Sequence, residues 1–193
     1  MIPLWIKVAY TVFVCITAVV YARKWGWANF LWFSDIALLL TVPALWIESR
    51  TLASMMTLAI LVPEAYWNIC FFPRLLTGQR ISGLTDYMFD RSKPHYLRAL
   101  SLFHVFLPPL LVWMVARLGY APQALWWQVA LAWAVLALSY RVSSPQENIN
   151  SVFGPGDRPQ KWMPRLVYLG LLMVVLPLFI YLPTHLLLRL LFA

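Results

Sequence analysis

Six polar side chains sit inside otherwise apolar stretches: the adjacent Ser34 and Asp35, then Glu64 and Asn68 four residues apart, then His104 and Gln128. A hydroxyl, an imidazole and carboxylates are the parts of nucleophilic acyl transfer, in which the imidazole takes the hydroxyl proton and an acid orients or balances it. Neighbouring helical residues point about 100° apart, so a strict Ser–His–Asp line through Ser34 and Asp35 is awkward. The catalytic set expected is a Ser34–His104 dyad with Asp35 or Glu64 in support. Asp35, Glu64 and His104 could instead ligate a metal, but zinc sites commonly use more His or Cys, so no metal and no cofactor is expected. A third chemistry is none: a proton or ion relay, or polar glue between helices. The serine has a bland alternative as well, a bond back to its own i−4 carbonyl, and Glu64 can simply pair with Asn68.

The elements that carry these residues follow from composition. Of 193 residues 62% are hydrophobic and 11% charged, and mean hydropathy is +0.72. Soluble domains carry roughly 25% charged residues, so the bilayer must be the solvent for most of the chain. An all-α integral membrane bundle of six transmembrane helices is expected, forming a single domain over 1–193. The spans fall at 3–22, 25–47, 51–72, 97–115, 121–140 and 166–187, each near the ~20 residues a crossing needs. Short turns at Arg23-Lys24 and Glu48-Ser49-Arg50 make the first three antiparallel neighbours. The first is read as a retained helix, because no basic region and cleavage site precede it. Cys15 and Cys70 lie within spans without a C-x-x-C pattern and are read as small buried apolar residues. No internal repeat suggests an inverted-repeat transporter.

Charge sets orientation. Eleven of the 15 Lys and Arg residues flank turns 1–2, 3–4 and 5–6; the other four, Lys7, Arg50, Arg117 and Arg189, lie at the opposite ends. The positive-inside rule places the basic ends in the cytoplasm and both termini on the non-cytoplasmic side. The net charge of +8 therefore points to anionic headgroups, with membrane phospholipid as partner and no nucleic acid. Of the two longer loops, 77–94 contains a stretch, 81–89, that suits a short interfacial helix, and 141–164 reads as turn-rich.

Depth brings the polar residues together. At 1.5 Å per residue, Ser34 lies roughly 14 Å from the cytoplasmic side, Glu64 about 12 Å, His104 about 10 Å and Asn68 about 6 Å. All fall in one slab, whereas Gln128 lies in the opposite half. Pro63 frees the carbonyl of Ala59, and Pro108 and Pro109 leave those of His104 and Val105 without their helical donors. The helix should bend at His104, and interrupted backbone at this depth implies a cavity. Asn68, Trp67 and Pro108 are expected to line it. His185 and His95 are expected at the two interfaces.

The stretch Leu31-Trp32-Phe33-Ser34-Asp35-Ile36-Ala37 resembles the Leu-His-Leu-Cys-Asp segment of YwaF-type bacterial membrane proteins. Those are similar to the transmembrane acyltransferase that makes ether phospholipids. Gly83-Leu84-Thr85 onward to Lys93-Pro94-His95, then Ser101-Leu102-Phe103-His104, resembles that family's Gly-Leu-Thr loop leading into a helix with a histidine. Asn150 followed by Arg158-Pro159 is similar to its later Asn…Lys-Pro loop. Ser34 stands where the family has its cysteine nucleophile, and Trp32 where it has a histidine. Androgen-inducible fatty-ester hydrolases are similar in pairing a hydroxyl nucleophile with a membrane histidine. The resemblance implies acyl transfer or acyl-ester hydrolysis in a cytoplasm-facing pocket of the bacterial inner membrane. The cysteine-to-serine departure implies either an oxygen nucleophile or a dead enzyme. The alternative function is a non-enzymatic membrane subunit or a small proton-coupled transporter using the same acidic pocket.

Overall fold

The computed structural model describes residues 1–156 and 159–192, and every regular element among them is helical. Arg158, part of the Asn…Arg-Pro correspondence, lies outside the described residues. The elements are α1 (Leu4–Trp25), α2 (Phe33–Trp46), α3 (Arg50–Thr77), the short α4 (Asp86–Phe89) and α5 (His95–Leu100), α6 (Phe103–Leu118), α7 (Ala124–Val142), α8 (Arg165–Val175) and α9 (Leu182–Phe192). A π-helical turn, Leu176–Tyr181, joins α8 to α9 in one continuous rod. Five helical segments are long and apolar enough to cross a membrane: Leu4–Trp25, Arg50–Thr77, His95–Leu118, Ala124–Val142 and Arg165–Phe192.

The second expected span departs from a single helix. Gly26, at φ 77°, takes the left-handed backbone that ends α1. A 3-10 turn, Trp27–Leu31, follows, then an extended residue, Trp32, and only then α2. At 14 residues α2 is about 21 Å long. Ser34 and Asp35 therefore lie in the first turn of a helix rather than midway along one. The fourth span also breaks earlier than expected. The interruption falls at Ser101–Leu102, where the amides of His104 and Val105 reach the i−3 carbonyls at 3.3 and 2.9 Å.

Packing is that of a bundle solvated by lipid. Large apolar side chains such as Trp5, Trp126, Phe179 and Leu190 face outward, whereas the interior carries Ala37, Ala44, Ala53, Ala124 and Ala132 together with Thr41 and Ser54. Small residues let helix backbones approach where lipid offers no hydrophobic drive for association. α3 is central and packs on α2, α6 and α7. Cys70 is buried, but Cys15 is exposed on the outer face of α1, against its expected burial. His185 is buried too, its Nδ1 2.7 Å from the hydroxyl of Tyr120 in the α6–α7 turn.

One end of the bundle is stitched by hydrogen bonds. Glu48 Oε1 accepts from the Ile2 amide at 3.0 Å and from Lys7 Nζ at 2.8 Å. The Arg50 guanidinium donates to the carbonyl of Tyr120, whose amide donates to Phe192 O at 3.0 Å. Both termini, the α2–α3 turn and the α6–α7 turn thus meet at one end.

Candidate functional site

α3 and the start of α6 build one wall. The four-residue spacing of Glu64 and Asn68 puts both on the face of α3 that meets α6. The break at Ser101–Leu102 turns the first residues of α6, Phe103 and His104, toward that face. His104 Nδ1 lies 2.9 and 2.8 Å from the two Glu64 carboxylate oxygens. A carboxylate only accepts, so Nδ1 carries the proton. Trp67 stacks on the imidazole at 4.8 Å between centroids and Phe103 at 4.1 Å, which fixes the plane of the ring. Nε2 has no protein partner among the described residues and remains accessible.

Asn68 stands behind this pair. Its Nδ2 donates to Glu64 O and to His104 O, both at 2.8 Å. The second bond fills the carbonyl that Pro108 leaves without a helical donor. Asn68 and Pro108 therefore brace the wall from behind instead of lining the cavity, because the acceptor freed by the proline is consumed within the α3–α6 contact. Trp67 does line it.

The opposite wall is the break before α2. Asn150, itself held at φ 54°, donates through Nδ2 to Leu31 O at 2.7 Å and to Ser139 Oγ at 3.1 Å, and its Oδ1 accepts the Phe33 amide at 3.1 Å. Its neighbours Asn148 and Ser151 are also left-handed, at φ 43° and 59°. Such residues cost about 1–3 kcal/mol each and persist where surrounding bonds over-determine them. Asn148 supplies those bonds, donating to Gly154 O and Gly156 O at 2.8 and 2.9 Å. On α2, Asp35 Oδ2 accepts from Asn29 Nδ2 at 2.9 Å, whereas Oδ1 is buried without a partner. The Ser34 hydroxyl makes no protein hydrogen bond among the described residues, so it does not bond back along its own helix.

Between the walls lies a cavity of about 880 Å³. Ser34, Asp35, Glu64, Trp67 and His104 all border it, with Ala59, Ile60, Phe103 and Leu176 supplying apolar lining. Ser34 and His104 share this space without hydrogen bonding to each other. The carboxylate that orients the imidazole is Glu64, not Asp35. Gln128 is separate and fully buried. Among the described residues no group of three His, Cys, Asp or Glu side chains is placed to hold a metal ion. Asn29, and the Tyr21–Ser101 hydroxyl pair at 3.0 Å, also reach the cavity; no sequence signal marks Asn29 or Tyr21. In the sequence Asn150 stands out through the family resemblance. Its signal was available: asparagines at 148 and 150 in a Gly/Pro-rich loop suit left-handed backbone.

No protein-family model, curated protein or solved structure matches the chain.

Proposed function

We propose that this chain is an intramembrane enzyme that transfers or hydrolyses acyl groups of membrane phospholipids, with His104 as general base, Glu64 as its orienting acid and Ser34 as the acyl acceptor. One observation carries this: a carboxylate-held imidazole with its second nitrogen free borders a largely apolar, lipid-sized cavity in which an unbonded serine hydroxyl also lies. Ligand pockets are of this size and apolar character, with a few convergent polar groups.

In the first step Ser34 Oγ bonds to the acyl carbonyl carbon as its proton passes to His104 Nε2. The C–O bond to the lipid alcohol then breaks, and that proton goes to the leaving oxygen. Water or an acceptor alcohol removes the acyl group by the reverse sequence. The first amides of a helix have no intrahelical acceptor, so the start of α2 offers donors for the carbonyl oxygen as it gains charge. Asp35 adds an acid to the same wall. The distance between Ser34 and His104 closes with substrate bound, as catalytic contacts are often looser in free enzymes.

The similarity to YwaF-type proteins and the transmembrane ether-lipid acyltransferase supports the same chemistry. The proposed setting is a six-crossing arrangement in the bacterial inner membrane. Both chain ends lie at one end of the bundle, which supports an even number of crossings with α2 and its preceding 3-10 turn as the sixth. The basic flanks then put the cavity mouth in the cytoplasm and the termini outside.

An alkyl fluorophosphonate tests the reading. The expected result is labelling at Ser34 that disappears in Ser34→Ala and His104→Ala. An intact wild-type fold that resists the probe, or equal labelling of Ser34→Ala, overturns it. The unpartnered Asp35 Oδ1 favours a second reading, a proton-coupled carrier. Proton uptake into liposomes that Asp35→Asn abolishes, with no labelling of Ser34, would establish that one instead.

A further inference from the structure

The cavity changes character along its length. Apolar lining comes from Ala59 and Ile60 on α3 and Leu176 on the α8–α9 rod, whereas Ser34 and His104 come from the first turns of α2 and α6. The mouth is framed by two loops of different origin: Lys93 from the α4–α5 turn and Glu147 from the α7–α8 loop. An apolar interior with a charged mouth is the shape of an amphiphile standing with its headgroup at the loops.

The two mouth charges are opposite in sign and form no ion pair with each other. The Lys93 ammonium lies 5.9 Å from the Tyr87 ring centroid, and among the described residues no carboxylate lies within 4 Å of it. The nearest acid in sequence, Asp90, is engaged by Ser92, through its amide at 2.9 Å and its hydroxyl at 2.7 Å. Glu147 is exposed; its Oε2 accepts the Ser144 amide at 2.7 Å, leaving Oε1 available. Three cations near the mouth are committed, Arg74 and Arg80 to Asp86 and Arg98 to Met88 O and His95, whereas Arg91 is exposed and lies outside the cavity.

We propose that the cavity mouth reads a zwitterionic, amine-bearing phospholipid headgroup, with Lys93 taking the phosphate and Glu147 the ammonium. A purely anionic headgroup would meet Lys93 but also the Glu147 carboxylate, and a neutral diacylglycerol would leave both unused. This names the substrate class of the cavity and rests on reading it as a lipid site, but binding does not require the serine chemistry.

The test is native mass spectrometry of the detergent-solubilised full chain, in the Ser34→Ala background so that no lipid is consumed. The chain is titrated with dioleoyl phosphatidylethanolamine, phosphatidylglycerol and diacylglycerol. Phosphatidylethanolamine is expected to bind about fivefold more tightly than phosphatidylglycerol, the value of one exposed charge pair. Glu147→Gln should erase that preference. Lys93→Gln should bring both phospholipids down to diacylglycerol. Arg91→Gln, at an exposed cation outside the cavity, should change neither. Equal binding of the two phospholipids by the parent chain, or a preference that survives Glu147→Gln and Lys93→Gln, overturns the proposal. So does displacement of the lipid by an equal concentration of phosphoethanolamine, which would make the ligand a soluble phosphate ester. Failure of fluorophosphonate labelling alone removes the enzyme and leaves this binding result standing.

Discussion

Glu64 and His104 define the chemistry at the scale of single residues. A carboxylate at Nδ1 fixes which imidazole nitrogen holds the proton and leaves the other as a lone pair on the cavity side. Glu64→Gln keeps the volume and a hydrogen-bonding group but loses the charge, and an amide can donate to Nδ1 and so favour the other tautomer. Fluorophosphonate labelling of Ser34 is expected to slow by about 10²-fold or more, the range for losing general-base assistance. Thermal unfolding should move by only a few degrees; an unchanged labelling rate would remove Glu64 from the proton path. The meeting of Glu64, Asn68 and His104 was legible in the sequence because each lies on a helix whose rise converts residue counts into depth. The place of Ser34 was only half legible. Its depth was counted along one continuous helix, but Trp27–Leu31 is a 3-10 turn held to the far loop by Asn150, whose partners lie 117 and 119 residues away. Nothing local announces a bond of that reach.

Elements are joined here by polar clips that proline makes necessary. Pro108 cannot donate to His104 O, and Asn68 does so from α3. Asn68→Ala should therefore expose a buried acceptor and lower stability by about 1–3 kcal/mol. Pro108→Ala restores a helical donor to the same carbonyl, so the Asn68→Ala penalty should shrink in that background. A double-mutant cycle read by denaturant unfolding measures the difference. Two additive penalties would mean that the clip and the proline are unrelated. The loop after α3 has its own clip. Hydrogen bonds from Arg80 and then Arg74 hold the Asp86 carboxyl at about 2, below its ordinary 3.8. A depressed folded-state value stabilises the loop fully above the ordinary value and loses that contribution as pH falls through the folded one. The 83–89 turn should thus stay ordered down to about pH 4 and loosen toward pH 2, and Arg80→Gln should move the Asp86 carboxyl NMR midpoint upward. The short helix in this loop was expected from the sequence. The Arg74–Asp86 link was not, since the two are 12 apart across a reversal of the chain.

At the scale of the molecule, two independent asymmetries agree. The end where Ile2, Glu48, Arg50, Tyr120 and Phe192 are tied together holds few cations, and the end bearing the cavity mouth holds most of them. The charge count was plain in the sequence. The hydrogen bonds that bring the chain ends together were not, and they support the proposed even number of crossings, where five segments among the described residues have the length and hydropathy of a span. On the six-crossing reading the sixth segment is α2, an apolar helix of 14 residues that also carries the proposed nucleophile. Alkaline phosphatase fused after the C-terminus should then be active in a bacterial host, and a green fluorescent protein fusion at the same point dark, because the positive-inside rule sends that end outward. Fusions within the 77–94 loop should behave in the opposite way. A fluorescent C-terminal fusion with an active loop fusion would invert the whole molecule, turning the cavity mouth away from the cytoplasm and its lipids. A fluorescent C-terminal fusion combined with an active N-terminal one would show that α2 does not cross.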